Sequence, residues 1–326
     1  MAVQFLYSSL YMIDNCGRNI DYLRISVTDL CNLRCLYCMP EEGVKKLSHS
    51  DILSPEEIAA IASAAASLGI KKIRLTGGEP LVRKGIVDIV RLVAQVPEIE
   101  EVALTTNGSL LAEYAASLKK AGLTRVNISI DAFDPEAYRN ITRGGDVEKA
   151  LAGIQAAVDA GLTPVKLNAV LMGGLNDHLI RPLVAMTKDV DFRVRFIEIM
   201  PVGECAGWNK ERFVSADKVL EEEPELEYIG TDGVSDIYRK PGSKGSVGLI
   251  SPISRHFCPV CNKVRVTADG KLKPCLHSAE EIELRGLKGD QLTDVIRSAI
   301  LSKPFKHELD REDRSRSLRG MNAIGG

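Results

Sequence analysis

The stretch Tyr22-Leu23-Arg24-Ile25-Ser26-Val27-Thr28 leads, through Asp29 and Leu30, into Cys31-Asn32-Leu33-Arg34-Cys35-Leu36-Tyr37-Cys38. The first part is rich in β-branched residues and reads as a strand. The second sets three thiols within eight residues, close enough to face one inorganic centre. A structural zinc site is closed by four ligands, so three cysteines without a near fourth leave one coordination position open. In a four-iron cluster held this way, three irons carry thiolate and one is free for an exogenous ligand. A zinc knuckle completed from a distance, or a plain group of buried thiols, are the competing readings of the spacing.

Outward from this stretch the chain repeats a strand-then-helix rhythm as far as Met200. Ser54-Pro55-Glu56-Glu57 offers an N-cap, a proline at the first helical position and a capping-box glutamate, and Gly69 stops the alanine-rich helix they begin. Further strands are expected at Lys71 to Thr76, Glu101 to Thr105, Arg125 to Ile130, Pro164 to Leu171 and Arg193 to Ile199, with helices between them. Six such units argue for parallel strands with right-handed crossovers. A doubly wound open sheet is the rival, but the polar and glycine-bearing turns fall at the C-terminal ends of strands, where barrel active sites sit. The expected fold is therefore α/β: a partial (β/α)6 TIM-type barrel over residues 1–200, with a C-terminal domain, 201–326, covering its open side. Beyond Val202 the rhythm is lost. An acidic helix near Asp217 to Glu223, strand pieces at Ile237 to Lys240 and Val247 to Ile250, and a final helix from Thr293 to Ser302 are expected there.

At 326 residues, 45% hydrophobic and 26% charged, the composition is that of an ordinary soluble protein. A net charge of −2 gives no general attraction to nucleic acid or anionic membrane, so an anionic substrate must be held by local basic residues. No apolar run approaches a bilayer span and Met1 to Asn19 lacks the marks of a signal peptide, which makes the cytoplasm the expected location. Six of the eight cysteines fall into two tight triplets, favouring metal over disulfides. Cys16 and Cys205 remain over and are read as packing residues, and His49, His178 and His307 as surface residues.

The second triplet is Cys258-Pro259-Val260-Cys261 followed by Cys275. A zinc ribbon would supply a second Cys-x2-Cys pair, although His256 or His277 would also complete a zinc site. A second three-cysteine iron–sulfur cluster is the better reading.

The first triplet, with an aromatic residue before its last cysteine, resembles the signature of the radical S-adenosylmethionine (SAM) superfamily. Within it, the two triplets, Gly77-Gly78-Glu79-Pro80, Thr105-Thr106-Asn107-Gly108, Arg195-Phe196-Ile197-Glu198, Val264-Arg265-Val266-Thr267-Ala268-Asp269-Gly270 and the terminal Gly325-Gly326 resemble the GTP 3′,8-cyclases of molybdenum cofactor biosynthesis over nearly the whole chain. That resemblance implies two [4Fe–4S] clusters, SAM as co-substrate, and conversion of GTP to (8S)-3′,8-cyclo-7,8-dihydroguanosine 5′-triphosphate. It assigns the clusters to Cys31, Cys35 and Cys38 and to Cys258, Cys261 and Cys275. SAM contacts fall on Tyr37, Gly78, Glu79, Ser129 and Met200. GTP contacts fall on Arg24, Arg74, Thr105, Lys166, Arg195, Lys263, Val264 and Arg265. Catalytic roles fall on Arg24, Arg265 and the tail glycines Gly325 and Gly326. Lys263 stands where arginine is common, which keeps the charge but loses the bidentate fork. Leu30 and Cys16 also depart from the family pattern. The resemblance further implies a homodimer, an electron-donor protein of unknown identity, and delivery of product to cyclic pyranopterin monophosphate synthase, with neither nucleic acid nor membrane as partner.

On the residues themselves, arginines inside strands are costly if buried without a partner, so Arg24 and Arg74 are expected to point into a covered lumen. Arg193 shares a face with Arg195 but reads equally well as a surface charge. Two other functions stay open: a radical SAM peptide-modifying enzyme with an auxiliary cluster, and a non-catalytic zinc-binding module.

Overall fold

A computed structural model describes residues 11–44, 47–208, 210–307, 309 and 314–324. The alternation expected from sequence is present. Strand β1 (Tyr22–Ser26) is followed by helix α1 (Pro55–Ser67) and β2 (Lys72–Thr76). Then come α2 (Ile86–Ala94), β3 (Glu101–Thr106), α3 (Leu111–Lys120) and β4 (Arg125–Ser129). Two helices, α4 (Pro135–Thr142) and α5 (Val147–Asp159), precede β5 (Lys166–Leu171), and a short α6 (Ile180–Ala185) precedes β6 (Arg193–Glu198). The capping box behaves as the sequence requires. Glu57 N donates to Ser54 Oγ at 3.1 Å and Ser54 N donates to Glu57 Oε2 at 2.8 Å, satisfying two donors at the start of α1.

β1 to β6 are parallel neighbours in sequence order. The remainder comprises α7 (Lys218–Glu222), β7 (Glu227–Asp232), β8 (Ser235–Arg239), β9 (Ser246–Ile250), β10 (Lys263–Val266), β11 (Lys271–Lys273), β12 (Ile282–Glu283) and α8 (Gly289–Leu301). This part covers the open side by joining the sheet. β10 pairs parallel with β1, matching Arg265 to Arg24, and β9 pairs parallel with β6, matching Gly248 to Arg195. Antiparallel strands then back each flank, giving the order β12-β11-β10-β1-β2-β3-β4-β5-β6-β9-β8-β7. The sheet does not close, in keeping with a partial barrel. Apolar residues of the helices and the outward strand faces form one core, including Ile25, Ile73, Leu104, Ile128, Leu167 and Phe196.

Two buried side chains fasten the C-terminal part to the barrel. Arg18, ion-paired to Asp14 at 2.6 Å, donates to the carbonyls of Cys258 (3.0 Å), Lys303 (3.2 Å), Pro304 (2.9 Å) and Phe305 (3.1 Å). Glu198, at the end of β6, accepts from Ala216 N (3.1 Å), Ile253 N (3.1 Å), Ser254 N (2.9 Å) and the Ser254 hydroxyl. Buried charge is tolerated at both places because its polar atoms are met by the surrounding main chain.

Candidate active site

The inner faces of the parallel strands enclose a cavity of about 420 Å³ whose lining includes all six triplet cysteines. Topology sets the triplets at opposite ends of it. Cys31, Cys35 and Cys38 follow the C-terminal end of β1. Cys258 and Cys261 precede β10, which is parallel to β1, while Cys275 follows β11, which runs back beside β10. The second triplet therefore stands at the N-terminal end of the barrel.

The first triplet's loop is held by the end of α4. Arg34 N donates to Thr142 O at 3.1 Å, Leu36 N to Ile141 O at 2.9 Å, and Arg143 Nη1 to Met39 O at 2.9 Å. Gly77 and Gly78 come so close to this loop that side chains are excluded. A Cβ on Gly78 would lie 2.4 Å from Leu30 O, and one on Gly77 2.5 Å from Thr28 O. Tyr37 donates its hydroxyl to Asp131 Oδ2 at 2.9 Å. Burial, with Asp131 and the neighbouring thiols, raises the Tyr37 hydroxyl well above its ordinary range. Gly78, Ser129 and Met200 line the cavity near this end. Glu79 does not: its carboxylate is buried and accepts from Thr106 Oγ1 (2.7 Å), Asn107 N (2.7 Å) and Leu81 N (3.0 Å), and burial raises its pKa to about 7.

Between the triplets lies a basic band. Nine lining residues are lysine or arginine and two are acids. In-register pairing sets Arg265, Arg24 and Arg74 side by side on β10, β1 and β2. Arg24 and Arg74 thus face the lumen, as expected. Burial, and then the neighbouring Arg265 and Arg74, push the Arg24 guanidinium well below its ordinary range. Thr105, Lys166, Arg195 and Lys263 line the same space, whereas the Val264 side chain is buried in the core. Burial lowers Lys166 to about 7 and Lys263 to about 8. Several buried polar atoms aimed at this space lack a hydrogen-bond partner among the described residues: Arg74 Nε, Arg195 Nε, Thr105 Oγ1, Asn127 Nδ2 and Asn168 Oδ1. Buried polar groups are normally paired, so these atoms mark a polar ligand's footprint.

Several lining residues escape a reading of the sequence. Tyr22 carries Arg74 Cζ at 5.3 Å and Lys263 Nζ at 5.5 Å over its ring. Lys303 Nζ donates to Lys263 O and Pro274 O, both at 2.8 Å, bracing the second triplet. Asp232 reaches Lys166 and Arg195 from β7. Neither Lys303 nor Asp232 belongs to a local motif, and nothing in the stretch Tyr22–Thr28 marks Tyr22 as a lining residue. Two expectations need correction. His307 is not a surface residue: its Nε2 lies 3.0 Å from His256 Nδ1, its ring stacks 4.7 Å from that of His277, and it lines the cavity. Cys16 is exposed at a turn rather than packed. Cys205, as expected, is buried, with Sγ 3.0 Å from Tyr37 O. Arg193 is part exposed and pairs with Asp232 at 3.3 Å. Gly325 and Gly326 lie outside the described residues.

The donor sets fit iron–sulfur clusters: six free thiols in two triplets, each at one end of one cavity. At the second triplet, burial raises Cys261, but the positive charges of Lys303, Lys263 and Arg265 outweigh it and lower the thiol's pKa, favouring the ligating thiolate. Among the described residues no three His, Cys, Asp or Glu side chains are arranged to hold a single metal ion.

Comparison with known proteins agrees with this geometry. The sequence profile of the Radical SAM superfamily matches residues 25–186, and that of Molybdenum Cofactor Synthesis C matches residues 192–309. A GTP 3′,8-cyclase of Alkaliphilus oremlandii is 51% identical over 320 residues, covering 97% of this chain and 100% of that protein. One from Listeria monocytogenes is 45% identical, covering 96% and 98%. Among solved structures, Streptococcus suis SuiB superposes with a TM-score of 0.61 at 15% identity, over 89% of this chain and 68% of that one, a likeness of fold alone.

Proposed function

Since the chain belongs to the GTP 3′,8-cyclase family of radical SAM enzymes, we propose that it converts GTP to (8S)-3′,8-cyclo-7,8-dihydroguanosine 5′-triphosphate, the first step of molybdenum cofactor biosynthesis. The observation that carries this is near-half identity to such enzymes along the whole chain. The basic lumen between two cysteine triplets supports it.

Cys31, Cys35 and Cys38 would hold one [4Fe–4S] cluster and Cys258, Cys261 and Cys275 the other. A cluster held by the first triplet would supply the electron for reductive cleavage of the SAM sulfonium, the chemistry that makes hydrogen removal from ribose C3′ attainable. The chain's own contribution is placement and shielding. Gly78 admits SAM against the main chain, while Tyr37, Ser129 and Met200 border it and Glu79 stiffens the turn beneath. Arg24, Arg74, Lys166, Arg195, Lys263 and Arg265 grip the triphosphate, with guanidinium forks matched to phosphate oxygens. Thr105 offers a hydroxyl, and Val264 its main chain. The two ends of β1 are four residue steps apart, roughly 13 Å, a span suited to a nucleotide lying between the triplets. Walls made by β9 and β10 keep bulk water from a reactive radical.

The same reading includes domains at 1–200 and 201–326, a homodimer, an unassigned electron donor, and product handed to cyclic pyranopterin monophosphate synthase. It assigns the tail glycines Gly325 and Gly326 a role beside Arg24 and Arg265 in catalysis. The cytoplasm is the proposed location; no helix among the described residues is long and apolar enough to cross a membrane. The test is anaerobic turnover of the iron-reconstituted protein with SAM, GTP and a strong reductant. Mass spectrometry should find 5′-deoxyadenosine together with an isomer of GTP. Deoxyadenosine beside unaltered GTP would overturn the substrate assignment.

A further inference from the structure

Asp232 stands at the end of β7, where the β7–β8 hairpin turns through Gly233 and Val234. Its Oδ2 accepts from Lys166 Nζ at 2.5 Å and Arg195 Nη2 at 2.6 Å, with Arg193 Nη1 at 3.3 Å. One carboxylate oxygen thus serves three cations from two neighbouring barrel strands. Of the two acids lining the cavity, Glu198 is occupied by the main chain and hydroxyl of the Ser254 loop, which leaves Asp232 as the acid set against the basic band. Although burial works upward, the Lys166 hydrogen bond and the charges of Arg195, Lys166 and Arg193 hold this carboxyl well below the usual range.

The element that carries Asp232 is lightly held. Among the described residues β7 is the outermost strand on its side of the sheet and pairs with β8 alone. Its ladder is interrupted between Tyr228 and Gly230, and Tyr228 and Ile229 are 59% and 49% exposed. A Cβ on Gly233 would meet nothing within 4 Å, so the turn has free space on that side. An edge strand with a register break and little buried apolar surface belongs to the easily opened part of a fold. Its acidic tip nevertheless sits on two cations that the GTP reading gives to the triphosphate.

We propose that Asp232 is a built-in counter-anion, holding Lys166 and Arg195 in place of a substrate phosphate until a polyphosphate displaces it and the hairpin tip withdraws. The device makes the site selective. A ligand enters only if its charge exceeds what the carboxylate supplies, so a nucleoside triphosphate succeeds where the uncharged nucleoside does not. It also offsets part of the charge of two buried cations in the empty protein, which would otherwise repel each other more strongly. The identity of the ligand as GTP rests on the function proposed above; the exchange of one anion for another does not.

The experiment measures binding of inorganic tripolyphosphate, GTP and guanosine to cluster-reconstituted wild type and Asp232→Asn by calorimetry. Removing the competing charge should tighten tripolyphosphate and GTP by about tenfold and leave guanosine unchanged. Unchanged or weaker tripolyphosphate binding by the variant would overturn the proposal, showing that Asp232 is a fixed partner of the two cations. A second reading needs no variant. Hydrogen exchange at residues 231–235 of the wild type should quicken when tripolyphosphate is added, and unchanged or slower exchange there would also overturn it. Since tripolyphosphate carries no guanine, its binding judges the hairpin apart from GTP. Tripolyphosphate binding without GTP binding would remove GTP as substrate and leave the displacement intact.

Discussion

Lys166 shows how much of the site's behaviour is set by a single side chain. Burial, with Arg195 and Arg125 nearby, outweighs the hydrogen bond and charge of Asp232 and lowers its amine to about 7, so the empty protein holds this charge less firmly than it would an ordinary lysine's. A bound triphosphate favours the charged form and draws in a proton, and Lys263, lowered by burial to about 8, acts with the same sign. Nucleotide binding at pH 8 should therefore take up protons, and affinity should fall as pH rises from 7 to 9. Calorimetry in buffers of different ionisation enthalpy measures this. Lys166→Met should reduce the uptake and weaken GTP by about tenfold or more, whereas proton release in the wild type would contradict the assignment. A second prediction concerns Gly78, whose added Cβ would lie 2.4 Å from Leu30 O. Gly78→Ala must displace the turn leading to Cys31, costing about 1–3 kcal/mol and lowering bound iron. A variant with full iron content and unchanged melting temperature would refute that close contact's importance. At this scale the cysteines were legible because ligands of one centre are neighbours in sequence. Asp232, Tyr22 and Lys303 were not, since each acquires its partners only when distant strands come into register.

At the scale of elements, the helix–strand rhythm could be read because each barrel strand is apolar on its outer face and each helix carries its own signals. Ser54 and Glu57 are the plainest case, capping α1 as their spacing requires. β10 escaped reading for the opposite reason. Lys263-Val264-Arg265-Val266 alternates charge with apolar residues, the pattern of a half-exposed edge strand, yet its charged face points into a lumen. β7 is similar, with Asp232 appearing to be ordinary turn chemistry. The segment 314–324 is another element whose role emerges only in three dimensions. Arg319 donates to Asp269 (2.9 and 2.8 Å) and to Glu281 (2.6 and 2.8 Å), while Ile324 is buried with Val202 and Leu276. This double clamp pins the tail against the C-terminal part of the chain just before the terminal glycines. Arg319→Met should cost about 2 kcal/mol in stability and leave deoxyadenosine formation in place. The ratio of cyclised GTP to deoxyadenosine should drop, and an unchanged ratio would remove the tail from the reaction.

The molecule as a whole is a barrel left open between its outer parallel strands, with its C-terminal part supplying β9 and β10 to the walls and the second cysteine triplet to the N-terminal end. The partial barrel and a C-terminal part covering its open side followed from sequence, but the joining of that part to the sheet through β9 and β10 did not, because these strands are short and come after the rhythm has faded. Two triplets at opposite ends of one cavity imply separable roles. Cys35→Ser and Cys261→Ser should each retain about four of eight irons. The first should abolish deoxyadenosine formation, while the second should keep it and lose the GTP product. Loss of deoxyadenosine in both would contradict that separation. The central claim is that hydrogen leaves ribose C3′ of a GTP held between the triplets. GTP carrying deuterium at C3′ tests it most directly, in anaerobic turnover followed by mass spectrometry. Deuterium recovered in 5′-deoxyadenosine, together with a cyclised product that has lost it, is the expected result. Unlabelled deoxyadenosine beside GTP that keeps its deuterium would contradict the account.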